Sequence, residues 1–294
     1  MGERDNGVIM PSSRHVSEAD RITVKVHREI LLLAGWGRAI LLQLAHPLVA
    51  QGVAEHSGFA EERWGHVGRL RRTLAAMLAM TFGTPEEAAA AASAINRIHD
   101  RVHGRLPKGA GALAAGTPYS AHDPALLAWV HATLVDTFLL TYERFIAPLT
   151  SDERDRYCRE AGRAGPLLGM PPQALPASTA ELSAYLGRML GSGEIVVTGT
   201  ARALAREVLS PKLPWPTRPL LALARLSTLG LLPHPLRQAY GFEWTRRQER
   251  ALDLLAAATR HGLPLVPPLL RAWPAARRAT RRDRVTRPAG PSGG

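Results

Sequence analysis

Residues 84–104 read TPEEAAAAASAINRIHDRVHG, and this stretch decides the fold class. Thr84 can cap a helix with its hydroxyl, Pro85 suits the first helical position, and Glu86 and Glu87 put carboxylates where the helix dipole favours anions. An alanine-rich run follows, then Gly104 with Pro107 beyond it as a stop signal. The spacing predicts a helix from Pro85 to His103. A second helix opens at Asp123-Pro124 and runs to about Ile146, with Leu127, Val130, Leu134, Phe138 and Thr141 at helical spacing. A third starts at Ser151-Asp152-Glu153.

Working outward, apolar periodicity predicts helices over 17–34, 37–53, 67–82, 179–190, 193–209, 216–229 and 243–261. Only 194–198 has the β-branched density of a short strand, and no hairpin signal occurs, so the expected class is all-α. The Gly/Ala stretch 107–118 and the proline-rich 166–176 read as surface loops. Neither marks a change of composition. One helical domain over 17–275 is expected, between a disordered N-terminus at 1–16 and a basic, disordered tail at 276–294.

The 294 residues are 46% hydrophobic and 21% charged, a globular composition. The single cysteine, Cys158, excludes an intrachain disulfide and a multi-cysteine zinc site. The polar opening MGERDNGVIMPSSRH has no apolar stretch for a secretory signal, and no run of about 18 apolar residues occurs, so a cytoplasmic chain without a membrane span is expected. Net charge is +12, and seven arginines against one aspartate between Arg271 and Arg287 supply half of it. That tail offers a peripheral contact with anionic lipid; it equally suits a solvated terminus, and nucleic acid is not an expected partner.

Phosphate-binding Gly-rich loops, a dinucleotide fingerprint, a serine nucleophile elbow and the His-Glu-x-x-His zinc motif are all missing from the sequence. Histidines remain. His99 and His103, four apart on the predicted helix, share a face and could address one metal or cofactor, or be ordinary surface residues. Arg69 and Thr73 are likewise four apart, pairing a guanidinium with a hydroxyl in a way that suits an anionic group or a solvated face.

Five segments in this order, LLQLAHPLVAQGVAEHS (41–57), RLRRT (69–73), IHDRVHG (98–104), YSAHDPALLAWVHATLVDTFL (119–139) and LPHPLRQAYGFEW (232–244), resemble successive blocks of the mpaB/rubber-oxygenase catalytic domain. The likeness spans residues 26–261. It implies an all-α fold with a globin-like core holding haem b, and an activity that uses dioxygen to cleave or oxidise a carbon–carbon double bond. By the same resemblance His99 is the proximal iron ligand and His103 its neighbour. Arg69 and Thr73 lie beside the haem, and Arg237 suits a propionate. Arg72 stands where some relatives carry a lysine that caps iron, which an always-protonated guanidinium cannot do. The distal base has no clear counterpart: Glu55 is the nearest candidate, although its spacing to Arg69 differs from the family's, and Asp136 is a second acid. Without an export signal a polymer substrate is not expected; a small apolar, isoprenoid-like or lipid molecule is. A haem-binding sensor or carrier, and a haem-free helical protein docking through its basic tail, are the alternatives.

Overall fold

The computed structural model describes residues 22–56, 65–211 and 214–286. Fourteen α-helices lie among them: α1 Ile22–His27, α2 Trp36–Leu44, α3 Pro47–His56, α4 Gly65–Phe82, α5 Pro85–His99, α6 Pro124–Phe145, α7 Ser151–Gly162, α8 Thr179–Gly191, α9 Gly199–Leu209, α10 Arg218–Leu231, α11 His234–Ala239, α12 Arg246–Gly262, α13 Pro268–Arg271 and α14 Pro274–Thr286. The fold is all-α, as the helical signals predict.

The capping signals act where the sequence places them. Thr84 accepts from the Glu87 amide while Glu87 reaches back to the Thr84 amide, and Thr150 with Glu153 repeats the arrangement on α7. Asp123 caps α6 by accepting from the Ala125 amide at 2.8 Å. With thirteen buried residues between Leu126 and Phe145, α6 is the axis of the core. Its side chains meet Ile22, Val26, Leu32, Tyr157 and Leu252 in the largest apolar cluster. A second cluster joins α2, α9, α10 and α11 through Leu41, Leu204, Leu229 and Leu236. Among the described residues α6 is the one helix long and apolar enough to cross a bilayer by itself, and 61% of that stretch is buried inside the protein, as in a core helix.

Several expected boundaries change. The helix predicted over 17–34 is α1 followed by a 3-10 segment, Ile30–Gly35; residues 17–21 lie outside the described set. The helix predicted over 37–53 breaks at His46-Pro47 into α2 and α3, because proline has no amide to continue the ladder. Residues 194–198 form no regular strand. Instead the stretch read as an open loop is the tip of a small hairpin. In it β1 (His103–Arg105) pairs antiparallel with β2 (Pro118–Ser120), setting Gly104 opposite Tyr119. Gly111 and Gly116 take positive φ in the tip, and the Ala112 amide donates to the Gly193 carbonyl at 2.9 Å.

The tail expected to be disordered from 276 is helical through Thr286. Packed on α4, it donates from Arg282 to the Phe82 carbonyl and faces Glu87 at 3.8 Å. Arg282 on α14 thus satisfies a carbonyl at the end of α4, a use that composition alone does not reveal.

Candidate functional site

Helix α5 stops at His99 rather than at His103, with Asp100 as its C-cap. This corrects the shared-face reading. His103 is the first residue of β1, exposed, and its ring faces His56 at 6.5 Å between centroids. His99 pairs with His122 instead, ring centroids 5.7 Å apart in an edge-to-face arrangement. His122 Nε2 is 2.8 Å from Asp100 Oδ1. Hairpin closure brings this about: the Ala121 amide donates to the Val102 carbonyl at 2.8 Å, which returns the chain to the end of α5 just ahead of His122.

Nδ1 of His99 is buried and has no hydrogen-bond partner. Burial lowers the imidazole pKa, the neighbouring His122 lowers it further, and Asp100 partly offsets both. His99 therefore stays neutral at physiological pH, and one ring nitrogen remains uncommitted. An orphaned buried polar atom costs about 1–3 kcal/mol, which is a reason to look for a ligand where one persists. One turn earlier on the same helix, Asn96 Oδ1 is orphaned as well, its amide nitrogen donating to the Leu167 carbonyl at 3.1 Å.

The α4–α5 hairpin sets the level of the remaining predicted residues. Arg69 lies thirteen residues before Phe82 and His99 fourteen after Pro85, so at about 1.5 Å per residue both stand some 20 Å from the turn, at the same end. The side chain of Arg69 lies outside the described residues. Arg72 and Thr73 are exposed on α4, the guanidinium of Arg72 folding back over Gly68.

Beyond the hairpin a second polar group forms. Glu55, in the last turn of α3, accepts from the Tyr119 hydroxyl and from Gln51 Nε2 at 2.7 Å. The Tyr119 bond, then the Gln51 bond, hold its carboxyl below the usual range. His56 Nε2 sits 3.1 Å from the His103 carbonyl and 3.4 Å from the Tyr119 hydroxyl. Tyr119 is 4% exposed and lies over Gly104, where a Cβ would come within 2.6 Å of its hydroxyl. Tyr119 and His122 are the residues that sequence reasoning misses. The signal was the YSAHD run itself, but register across the hairpin, which no periodicity reports, decides what each touches.

Arg237 is placed elsewhere. Buried in the second cluster, it donates to the Leu229 carbonyl at 2.8 Å and stacks on Trp244 at 4.9 Å, so its guanidinium is committed to tying α10 to the 237–244 turn. Asp136 pairs with the buried Arg38 at 2.7 Å, which also donates to the Leu231 carbonyl and to Thr137. An open cleft of about 490 Å³ lined by Arg225, Leu229, Phe242, Glu243 and Gln248 shares no residue with the His99 group.

Fold and site together define an all-α protein whose candidate centre sets the imidazole of His99 against that of His122; no group of three or more His, Cys, Asp or Glu side chains suited to a metal occurs among the described residues. Residues 24–261 match the family model of the ER-bound oxygenase mpaB/B'/rubber oxygenase catalytic domain, and the chain belongs to that family. No curated protein and no solved structure matches it significantly.

Proposed function

We propose that this protein is a haem b-dependent oxygenase that uses dioxygen to oxidise or cleave a carbon–carbon double bond in a small apolar substrate. Family membership supports the oxygenase class. The observation that carries the cofactor assignment is the neutral, half-buried imidazole of His99 with an unpartnered nitrogen. A porphyrin brings four nitrogens of its own and asks the protein for few donors, and His99, with its unpartnered Nδ1, is the residue we assign to hold it. The bound group would supply redox chemistry toward dioxygen.

The chain's own residues do the rest. His122, held by Asp100, packs edge-on against His99 and fixes the plane of its ring. Arg69, whose backbone the α4–α5 hairpin sets level with His99, and Thr73, one turn nearer the hairpin's bend, are the residues we assign to the cofactor's polar edge and the reacting end of the substrate. Arg72 and His103 border that region. Glu55 is assigned to proton transfer: its bond from Tyr119 keeps it ionised and aimed.

Titration of the purified protein with haemin, followed by absorption spectroscopy, tests the assignment. An intense Soret band that is lost in His99→Ala and kept in His103→Ala is the expected result. Binding that survives His99→Ala and fails in His103→Ala overturns the ligand, and a folded protein that never takes up haemin overturns the cofactor. Oxygen uptake by the loaded protein with short isoprenoids then separates an oxygenase from a carrier or sensor.

A further inference from the structure

Two apolar segments stand exposed, with nothing among the described residues packed over them. On the first, Trp215 is 78% exposed, Leu220 69% and Leu223 46%, as the opening turns of α10 stand clear of the core. On the second, the turn after α12 and the short helix α13 that follows it, Leu265 is 85% exposed, Leu269 65% and Leu270 71%. Large apolar side chains bunched on a surface mark an interaction site, where single ones do not.

The contacts of α10 and of Arg271 lead from both segments toward Glu29. Helix α10 runs parallel to the chain from Glu29 to Arg38: Arg38 Nε donates to the Leu231 carbonyl, Gly37 abuts Thr228, and Ser227 Oγ donates to the Ala34 carbonyl. Stepping back along α10 toward Leu220 therefore leads toward Glu29. At Glu29 the chain meets Arg271 at 3.7 Å, and Arg271 Nη1 donates to the Leu263 carbonyl at 3.4 Å, at the base of the 264–270 turn.

Charge decides what covers this surface. No Asp or Glu occurs between residues 208 and 242 or between 254 and 282, while Arg218 and Arg225 flank the exposed turns of α10. A second copy of the chain would bring two cationic rims together. An anionic bilayer surface instead offers acyl chains for the leucines, an interface for the tryptophan and phosphates for the arginines.

We propose that Trp215, Leu220, Leu223, Leu265, Leu269 and Leu270 form a membrane-docking surface that seats this protein on anionic lipid bilayers. The surface is distinct from the α14 arginines, which are partly spent on α4. It does not depend on haem or turnover.

The test is co-sedimentation of the full chain with vesicles of phosphatidylcholine alone or with 30% phosphatidylglycerol added, an amount on the order of natural anionic membranes. Binding is expected on the anionic vesicles and at least tenfold weaker on the neutral ones. Leu265→Ser/Leu269→Ser/Leu270→Ser and Trp215→Ser/Leu220→Ser should each lower the bound fraction about tenfold with unchanged circular dichroism, since every substituted side chain is exposed. Arg218→Glu/Arg225→Glu should do the same. Absence of wild-type binding, binding unaffected by all three variants, or a solution dimer abolished by the leucine variants would each overturn the proposal, the last by showing that a second copy covers the face.

Discussion

His99 and Glu55 show how differently one chain can treat two polar side chains. The imidazole has its Nδ1 buried and given no hydrogen-bond partner, whereas the carboxylate is given two donors and left partly in solvent. Their titrations differ accordingly: burial disfavours the charged imidazole, and hydrogen bonding favours the charged carboxylate. Tyr119→Phe isolates the second effect. It removes the phenolic donor and keeps the ring over Gly104, so the fold should survive with a loss of about 1 kcal/mol, discounted by the solvent around Glu55. Because the folded pKa of Glu55 is depressed, this stabilisation is present above the ordinary carboxylate pKa and disappears as pH falls through the folded value. Urea denaturation of wild type and variant should therefore differ at pH 7, and the difference should narrow as pH falls through the folded pKa of Glu55. A difference that persists in acid would mean that the hydroxyl acts through packing and not through the carboxylate.

At the scale of elements, sequence reading succeeds where the signal is local and fails where two segments must meet. Thr84-Pro85-Glu86-Glu87 and Asp123-Pro124 announce the starts of α5 and α6 by chemistry within a single turn. The end of α5 is not announced. Alanine-rich periodicity continues through His103, but pairing of His103–Arg105 with Pro118–Ser120 outcompetes the last helical turn, and the two candidate histidines part company. The α14 helix escapes notice for the same reason, since its stability comes from α4 and not from its own arginine-rich sequence. The close approach of Trp36–Leu44 to Arg218–Leu231 is another such meeting: a Cβ on Gly37 would fall 2.2 Å from the buried Thr228 hydroxyl. Gly37→Ala should cost about 1–3 kcal/mol through overpacking. Adding Thr228→Ala should recover much of that, giving a coupling of about 1 kcal/mol in a urea-denaturation double-mutant cycle. Strict additivity would show that the helices separate freely at this point.

The molecule as a whole keeps an unusual number of its histidines neutral. His27 sits 2.9 Å from the Thr81 hydroxyl and 2.7 Å from that of Tyr157, and burial brings its pKa down to about 4. His46, at the α2–α3 break, accepts the Leu48 amide on Nδ1, a bond that only the neutral ring can make; burial again lowers its pKa to about 4, against a smaller upward pull from Asp123. His131 on α6 is lowered to about 4 by burial alone, and His99 shifts the same way. An unfolded chain protonates each of these near 6.5 while the folded one does not. Stability is therefore full above about pH 6.5 and falls as pH drops toward 4. A shift from 6.5 to about 4 corresponds to roughly 3 kcal/mol per group, so three such groups together approach the ~5–15 kcal/mol that holds a typical domain folded. Glu29, whose carboxyl burial pushes upward, opposes this trend with one group against several, and the carboxylates with depressed pKa act only at lower pH. The melting temperature should accordingly be flat from pH 8.5 to 7 and drop steeply below 6.5. His27→Asn should make the descent shallower by about one proton, read from the slope of unfolding free energy against pH. A melting temperature that holds constant down to pH 5 would mean that water reaches these imidazoles and that they are charged within the fold.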